Sequence, residues 1–282
     1  MNAPVSKTGY VLATVLCAAL ALAACTSQNP TREGPLTAAD ALGDLKSIDY
    51  CSVIDQSGES AFEHCRIASG DKVTVVGPVE SGENKDLYPV EYHGTVLPSG
   101  MRVQGSTFDS KQSCTRMLTF SDDLRLTFMV AGEANPDANC VKAMEVVEDA
   151  LDVINGGKVA RRSFADNSFG RLDPCELLST PEVEAVLGSG RNKKPSATGH
   201  NCLHGDVALS FDVMQPANGN PETIAGYPVN VDKISLFCTV RVDAGAESAD
   251  IKAISIKGPA DDKTCDKARQ IAELVLPALP KA

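Results

Sequence analysis

Tryptophan is missing from this chain altogether, and aromatic residues supply only 5% of its 282 positions. Stacking platforms for sugars or single-stranded nucleic acid are therefore scarce. Positive charge is also in short supply: 26 basic residues face 37 acidic ones, for a net charge of −11. A field of that sign repels nucleic acid and anionic headgroups, so nucleic acid is not an expected partner. The reaction signatures are lacking too. No G-x-S-x-G, no glycine-rich phosphate loop and no H-E-x-x-H occurs, and no acidic run has the D-x-D-x-D-G order of a calcium loop. No C-x-x-C is present either, which argues against a redox dithiol. From these gaps the chain is expected to be no enzyme, with no catalytic residue, no cofactor and no metal.

What is there begins with Tyr10 to Cys25, YVLATVLCAALALAAC, preceded by Lys7. The run is too short for a spanning helix, which needs roughly 20 apolar residues, and reads as a secretory signal. Ala23 and Ala24 ahead of Cys25 resemble a bacterial lipobox. That resemblance implies cleavage before Cys25, lipid on its sulfur, and a mature chain tethered to the extracytoplasmic face of the cell membrane, where it is expected to be a monomer. Residues 1–24 hold one lysine and no acid, so their removal takes the net charge to −12. Cys17 leaves with the signal and Cys25 carries lipid. The remaining eight cysteines read as four disulfides in an exported chain.

Residues 25–41 are expected as a polar spacer, although Thr37 with Asp40 three residues later is a helix start. Lys72 to Val76 is β-rich and meets a turn signal at Gly77-Pro78. Ser81 to Asp86 reads as a polar loop, and short strands are expected at Val90–Tyr92 and Met101–Gln104. Cys114–Phe120 and Leu124–Val130 form a hairpin about Ser121-Asp122-Asp123, with Leu124, Leu126, Phe128 and Val130 on one face. A helix is predicted from about Cys140 to Ile154, stopped at Gly156-Gly157.

Beyond residues 158–171, expected as a linker, the organisation recurs. Asp173 caps a helix begun by Pro174, and Thr180-Pro181 starts another that ends at Gly188. Cys202 precedes an alternating strand, Val207–Val213. Ile234, Leu236, Cys238, Val240 and Val242 are expected on one strand face, followed by a strand at Ile251–Ile256 and a helix from near Cys265. Each half thus has the same order of four cysteines, which predicts a divergent tandem repeat. The expected architecture is α+β. Two small domains, 42–157 and 172–282, each pack an antiparallel sheet against helices. A hairpin leaving Cys114 returns so that the next helix begins beside it. Geometry therefore pairs Cys114 with Cys140 and, likewise, Cys238 with Cys265, leaving Cys51–Cys65 and Cys175–Cys202.

The stretch LDPCELLSTPEVEAVLG, then Cys202, CTVRVD and TCDKARQIAELVLPALP, resembles a family of actinobacterial secreted lipoproteins catalogued as a domain of unknown function. Related cysteine-paired modules serve as extracellular sensor domains of bacterial serine/threonine kinases. The match covers residues 170–282 well and 42–157 weakly, and His204 stands where the family usually has an aromatic. The resemblance implies an α+β fold and an envelope location, and no reaction.

His200-Asn201-Cys202-Leu203-His204 is the densest set of metal-ligand types. Residues 200, 202 and 204 would share a strand face, but Cys202 is assigned to a disulfide, so surface histidines flanking that bond are expected. Asp122-Asp123 reads as a hairpin turn, and Glu145, Glu148, Asp149 and Asp152 as the outward face of a helix. The functional expectation is a non-catalytic, lipid-anchored binding or sensing module. Its ligand would be a small molecule, a cell-wall component or an envelope protein. The alternative is a structural or accessory scaffold, and an envelope hydrolase stands further off.

Overall fold

The computed structural model describes residues 34–282 apart from 61, 82–86, 95, 108, 111, 133–134, 167, 189–191, 213–219, 235–236, 244–252, 260–264 and 280–282. The lipobox, Cys25 and the 81–86 loop beyond residue 81 lie outside the described residues. The chain opens with α1 (Ala38–Leu42), capped by Thr37, whose hydroxyl accepts the Asp40 N–H at 3.1 Å. Leu36, Ala38 and Leu42 enter the first core, so packed chain already starts within the segment expected as spacer.

The first sheet is built from β1 (Glu59–Ser60), β2 (Cys65–Ser69), β3 (Lys72–Glu80), β4 (Leu87–Pro89), β5 (Arg102–Ser106), β6 (Ser113–Thr119) and β7 (Arg125–Ala131). It is antiparallel throughout, in the order β1-β2-β3-β7-β6-β5-β4. The helix α2 (Pro136–Asn155) covers one face, burying Ala143, Val147, Leu151 and Ile154 against Leu118, Leu126, Phe128 and Val130. Helix α3 (Pro174–Leu177) follows, capped by Asp173, which accepts the Cys175 N–H at 2.7 Å, and then α4 (Pro181–Leu187).

The second sheet comprises β8 (Lys193–Pro195), β9 (Asn201–His204), β10 (Val207–Asp212), β11 (Asn220–Ile224), β12 (Tyr227–Ile234), β13 (Phe237–Asp243) and β14 (Ala253–Pro259). Its order is β11-β12-β13-β14-β10-β9-β8. Helix α5 (Asp266–Val275) buries Ala268, Ile271, Ala272 and Val275 on the face bearing Leu209, Val240 and Ile256. The architecture is α+β with two antiparallel sheets.

Strand for strand, the two orders are the same. The disulfides Cys51–Cys65 and Cys175–Cys202 tie a short helical turn to the second strand of each sheet. Cys114–Cys140 and Cys238–Cys265 tie the sixth strand to the closing helix. The pairing register agrees as well. In the first sheet Cys65 lies opposite Val76, Val76 opposite Phe128, and Phe128 opposite Arg116. In the second Cys202 lies opposite Leu209, Leu209 opposite Ile256, and Ile256 opposite Val240. Arg116 is two residues past Cys114 and Val240 two past Cys238, so the correspondence closes without a slip.

Several expectations shift. Gly77-Pro78 does not end β3: the bond is cis, the register shifts between Val76 and Val79, and the strand continues to Glu80. A bulge absorbs the one extra residue where a turn was expected. Gly77 itself has φ 105°, and a Cβ there would fall 2.2 Å from the Glu63 carbonyl oxygen. Val90 and Tyr92 pack on the core just after β4 rather than forming a strand, so their spacing reflected burial and not a ladder. Helix α2 begins at Pro136, about a turn before Cys140, because Asn135 caps it by accepting the Asp137 N–H at 3.0 Å. Ile234 belongs to β12, and Phe237 opposite it opens β13. That register puts Ile234 on the face of Phe237, opposite that of Cys238, Val240 and Val242, so the expected shared face does not include it, and Leu236 lies outside the described residues. The pair β11–β12 has no counterpart among the expected elements.

Residues Pro35–Ala282 form one compact unit with two core clusters. The segment expected as a linker is packed: the Arg162 N–H donates to the Ser47 carbonyl at 2.7 Å and the Asp49 N–H to the Ala160 carbonyl at 3.1 Å. Phe164 and Phe169 then enter the second core cluster.

Candidate functional site

Two places gather side chains whose chemistry exceeds what packing requires. The first is the contact between the segments leading into β2 and β9. His200 and Glu63 each stand two residues before a disulfide cysteine at the head of those strands. Contrary to the surface position expected for them, His200 and His204 are 0% and 1% exposed. The reason is that both rings find backbone carbonyls inside the fold. The His200 Nε2–H donates to the Lys46 carbonyl at 2.7 Å, and the His204 Nδ1–H to the Leu178 carbonyl at 2.9 Å. The two imidazoles thus serve different elements and do not converge, and Cys202 between them is disulfide-bonded.

Phe62 stacks on the His200 ring at 4.5 Å between centroids, Phe164 meets it edge-on at 6.0 Å, and Arg162 lies over both phenyl rings. Phe62 comes from the first half of the chain but belongs to the second core cluster. Thr198 donates its hydroxyl to the Glu63 carboxylate across the same contact. Burial is the main force pushing the His200 imidazole down to about 4. The Lys46 carbonyl bond opposes that shift, the Lys46 and Arg162 charges add to it, and Asp44 opposes it weakly. His200 is therefore neutral at physiological pH, with Nδ1 buried and unpaired.

The second place is the face of the first sheet opposite α2. Alternation puts Val73, Val75, Thr115, Met117, Thr119, Arg125, Thr127 and Met129 there. None of the four apolar members belongs to the core cluster or packs against it; Met117 is buried, and Val73, Val75 and Met129 are half-buried. Their counterparts in the second sheet follow from the shared register. Lys257 replaces Met129, Arg241 replaces Met117, Ala208 replaces Val75, and Asn230 replaces Gln104. Lys257 is exposed and holds its ammonium 4.1 Å from the Phe237 ring centroid. One sheet therefore shows an apolar outer strip, and its twin a polar one.

The remaining candidates resolve into structure. Asp122 accepts the Ala38 N–H at 3.2 Å, and Asp123 takes the turn's left-handed position at φ 61°. Glu145, Asp149 and Asp152 are exposed on α2, where partial burial raises the Asp149 carboxyl above its ordinary value. Lys193 pairs with Glu184 at 2.9 Å and holds that carboxyl below its ordinary value. Among the described residues, Asp109, Cys114 and Cys140 form the one grouping with metal-like spacing, and both sulfurs are committed to a disulfide. No helix among the described residues is long and apolar enough to cross a membrane.

The sequence reading missed the outer strip because it sought one buried face per strand. The signal was nevertheless present: CTVRVD alternates strictly, whereas CTRMLT and RLTFMV carry apolar residues on both faces. No family model, curated protein or solved structure matches this chain.

Proposed function

We propose that this protein is a lipid-anchored module of the cell envelope, held at the outer face of the membrane through Cys25. It binds an apolar ligand without chemical conversion, through the outer face of its first sheet. The observation that carries this reading is the contrast between equivalent faces: Val75, Met117 and Met129 stand where the second copy has Ala208, Arg241 and Lys257. The second sheet, with the same strand order and local register, carries charge at two of those three positions, so folding does not demand the apolar set. Methionine is unbranched and polarizable and suits a surface that adapts to a ligand. The four disulfides support an extracytoplasmic setting.

The test transfers the second sheet's residues to the first, as Val75→Ala, Met117→Arg and Met129→Lys together. Residues 27–282 hold the whole folded unit, since the core runs from Leu36 to Leu279. With the neutral dye Nile red, uptake by the parent chain should weaken about tenfold or more in the variant, as expected for losing a buried apolar contact. Equal dye binding by two folded proteins would overturn the reading.

A further inference from the structure

The first half contains two buried arginines, and they are treated differently. Arg116 is 7% exposed and holds Asp109 at 3.0 Å, so its charge is answered. Arg125 is 5% exposed and its guanidinium has no hydrogen-bond or ion-pair partner among the described residues; its Nε is enclosed and unpaired, as are those of Arg116 and Arg241. Glu80 lies opposite it on β3 but is exposed and makes no ion pair with it. A guanidinium withdrawn from water without a counter-charge is strongly disfavoured.

Arg125 begins the outer strip. Thr127, Met129 and Ala131 follow it on the same face of β7, each two residues on, so the row from Arg125 to Ala131 spans roughly 20 Å. The Thr127 hydroxyl is also buried and unpaired. Met117 lies directly opposite Thr127, and Val75 opposite Met129. A cation and a hydroxyl donor without acceptors thus stand at one end of an apolar row. At the equivalent of Arg125 the second sheet has Ala253, so the cation is absent together with the apolar strip.

We infer that the ligand of the outer face is a single long-chain anionic amphiphile. Its carboxylate or phosphate head would be bound by Arg125 and Thr127, and its chain would lie along Met117, Met129 and Val75. This inference rests on the reading of that face as a binding surface and adds the charge and shape of its occupant. A planar guanidinium takes such heads in a two-point contact that an alcohol cannot reproduce.

The test compares hexadecanoate with hexadecanol, both below their aggregation concentrations, on residues 27–282. Hexadecanoate should bind about 10–100-fold more tightly, the range for hydrogen bonds to a charged group. Arg125→Met should erase that preference. Arg125→Lys should retain only part of it. Equal binding of acid and alcohol by the parent chain overturns the inference without touching the apolar-surface reading, and needs no variant to fold. Loss of Nile red uptake in the triple variant with no change in hexadecanoate binding would also overturn it, by placing the acid elsewhere. Sedimentation with phosphatidylglycerol vesicles without uptake of monomeric hexadecanoate would make this face a membrane contact, and the inference would fall.

Discussion

The sixth strands of the two sheets, CTRMLT and CTVRVD, begin at equivalent cysteines and differ most at their third and fourth residues. In the first, Arg116 points to the helix-covered side and Met117 outward; in the second, Val240 points inward and Arg241 outward. The second sheet follows the ordinary rule of apolar inside and charged outside. The first inverts it, answers the buried guanidinium with Asp109 and gives methionine to the outer face. Two sheets of the same topology and register thus separate what the fold needs from what one copy does with its surface. The fold needs the disulfides and the inner face, which both copies keep.

That comparison breaks most sharply at the disulfides. Cys114–Cys140 and Cys238–Cys265 close loops of 26 and 27 residues. Replacing either pair by alanines should cost about 3–4 kcal/mol on chain-entropy grounds. The two losses should agree within about 1 kcal/mol, read from denaturant melts. A much smaller loss in one half would mean that the copies do not share the same staple.

His200 offers a test in which the halves are coupled. Its imidazole titrates near 4 in the fold and near 6.5 when unfolded, so between those values the unfolded chain binds the extra proton. Stability should be complete above about pH 6.5 and fall as pH drops toward 4, by no more than about 3 kcal/mol. His200→Phe keeps a ring for Phe62 to stack on and should flatten that slope. An unchanged slope in the variant would assign the acid sensitivity to carboxylates instead.

The smallest expected effect concerns the closing helices. Ala143 and Ala268 each stand three residues after the helix cysteine and are fully buried. A Cβ at Gly258 would come 3.7 Å from that of Ala268, and the first sheet has Val130 at the equivalent position. Leucine at Ala268 or Ala143 should destabilise by about 1–3 kcal/mol through overpacking. The exposed Gln270 is the proper control, with a change there within about 0.5 kcal/mol. Arg269 is not, because it pairs with Glu222 at 2.9 Å. Tolerance of leucine at both alanines would place the helices farther from their sheets than the register requires.

Much of this was legible from residues alone. Caps and stops announced themselves: Thr37, Asp173 and Thr180 start helices, and Gly157 and Gly188, both at positive φ, end them. These features are local and depend on side-chain chemistry within a few positions. Other features escaped for equally physical reasons. The bulge at Val76–Val79 read as a turn because Gly-Pro signals both. Ile234 pairs with Phe237 and so faces away from Cys238, a change of side that the alternating apolar spelling of the chain concealed. His200 and His204 looked like surface residues, since the Lys46 and Leu178 carbonyls that receive them lie 154 and 26 residues away.

By itself, then, the sequence determined the class of fold and the cysteine pairing. Periodicity, capping and loop closure are properties of neighbouring residues, and the chain carries them openly. Only the tertiary structure decided which side of each sheet a helix would cover, and hence that Met117, Met129 and Arg125 share the side opposite that helix. Alternation puts residues on two faces but does not say which is buried, because that depends on where a distant helix packs.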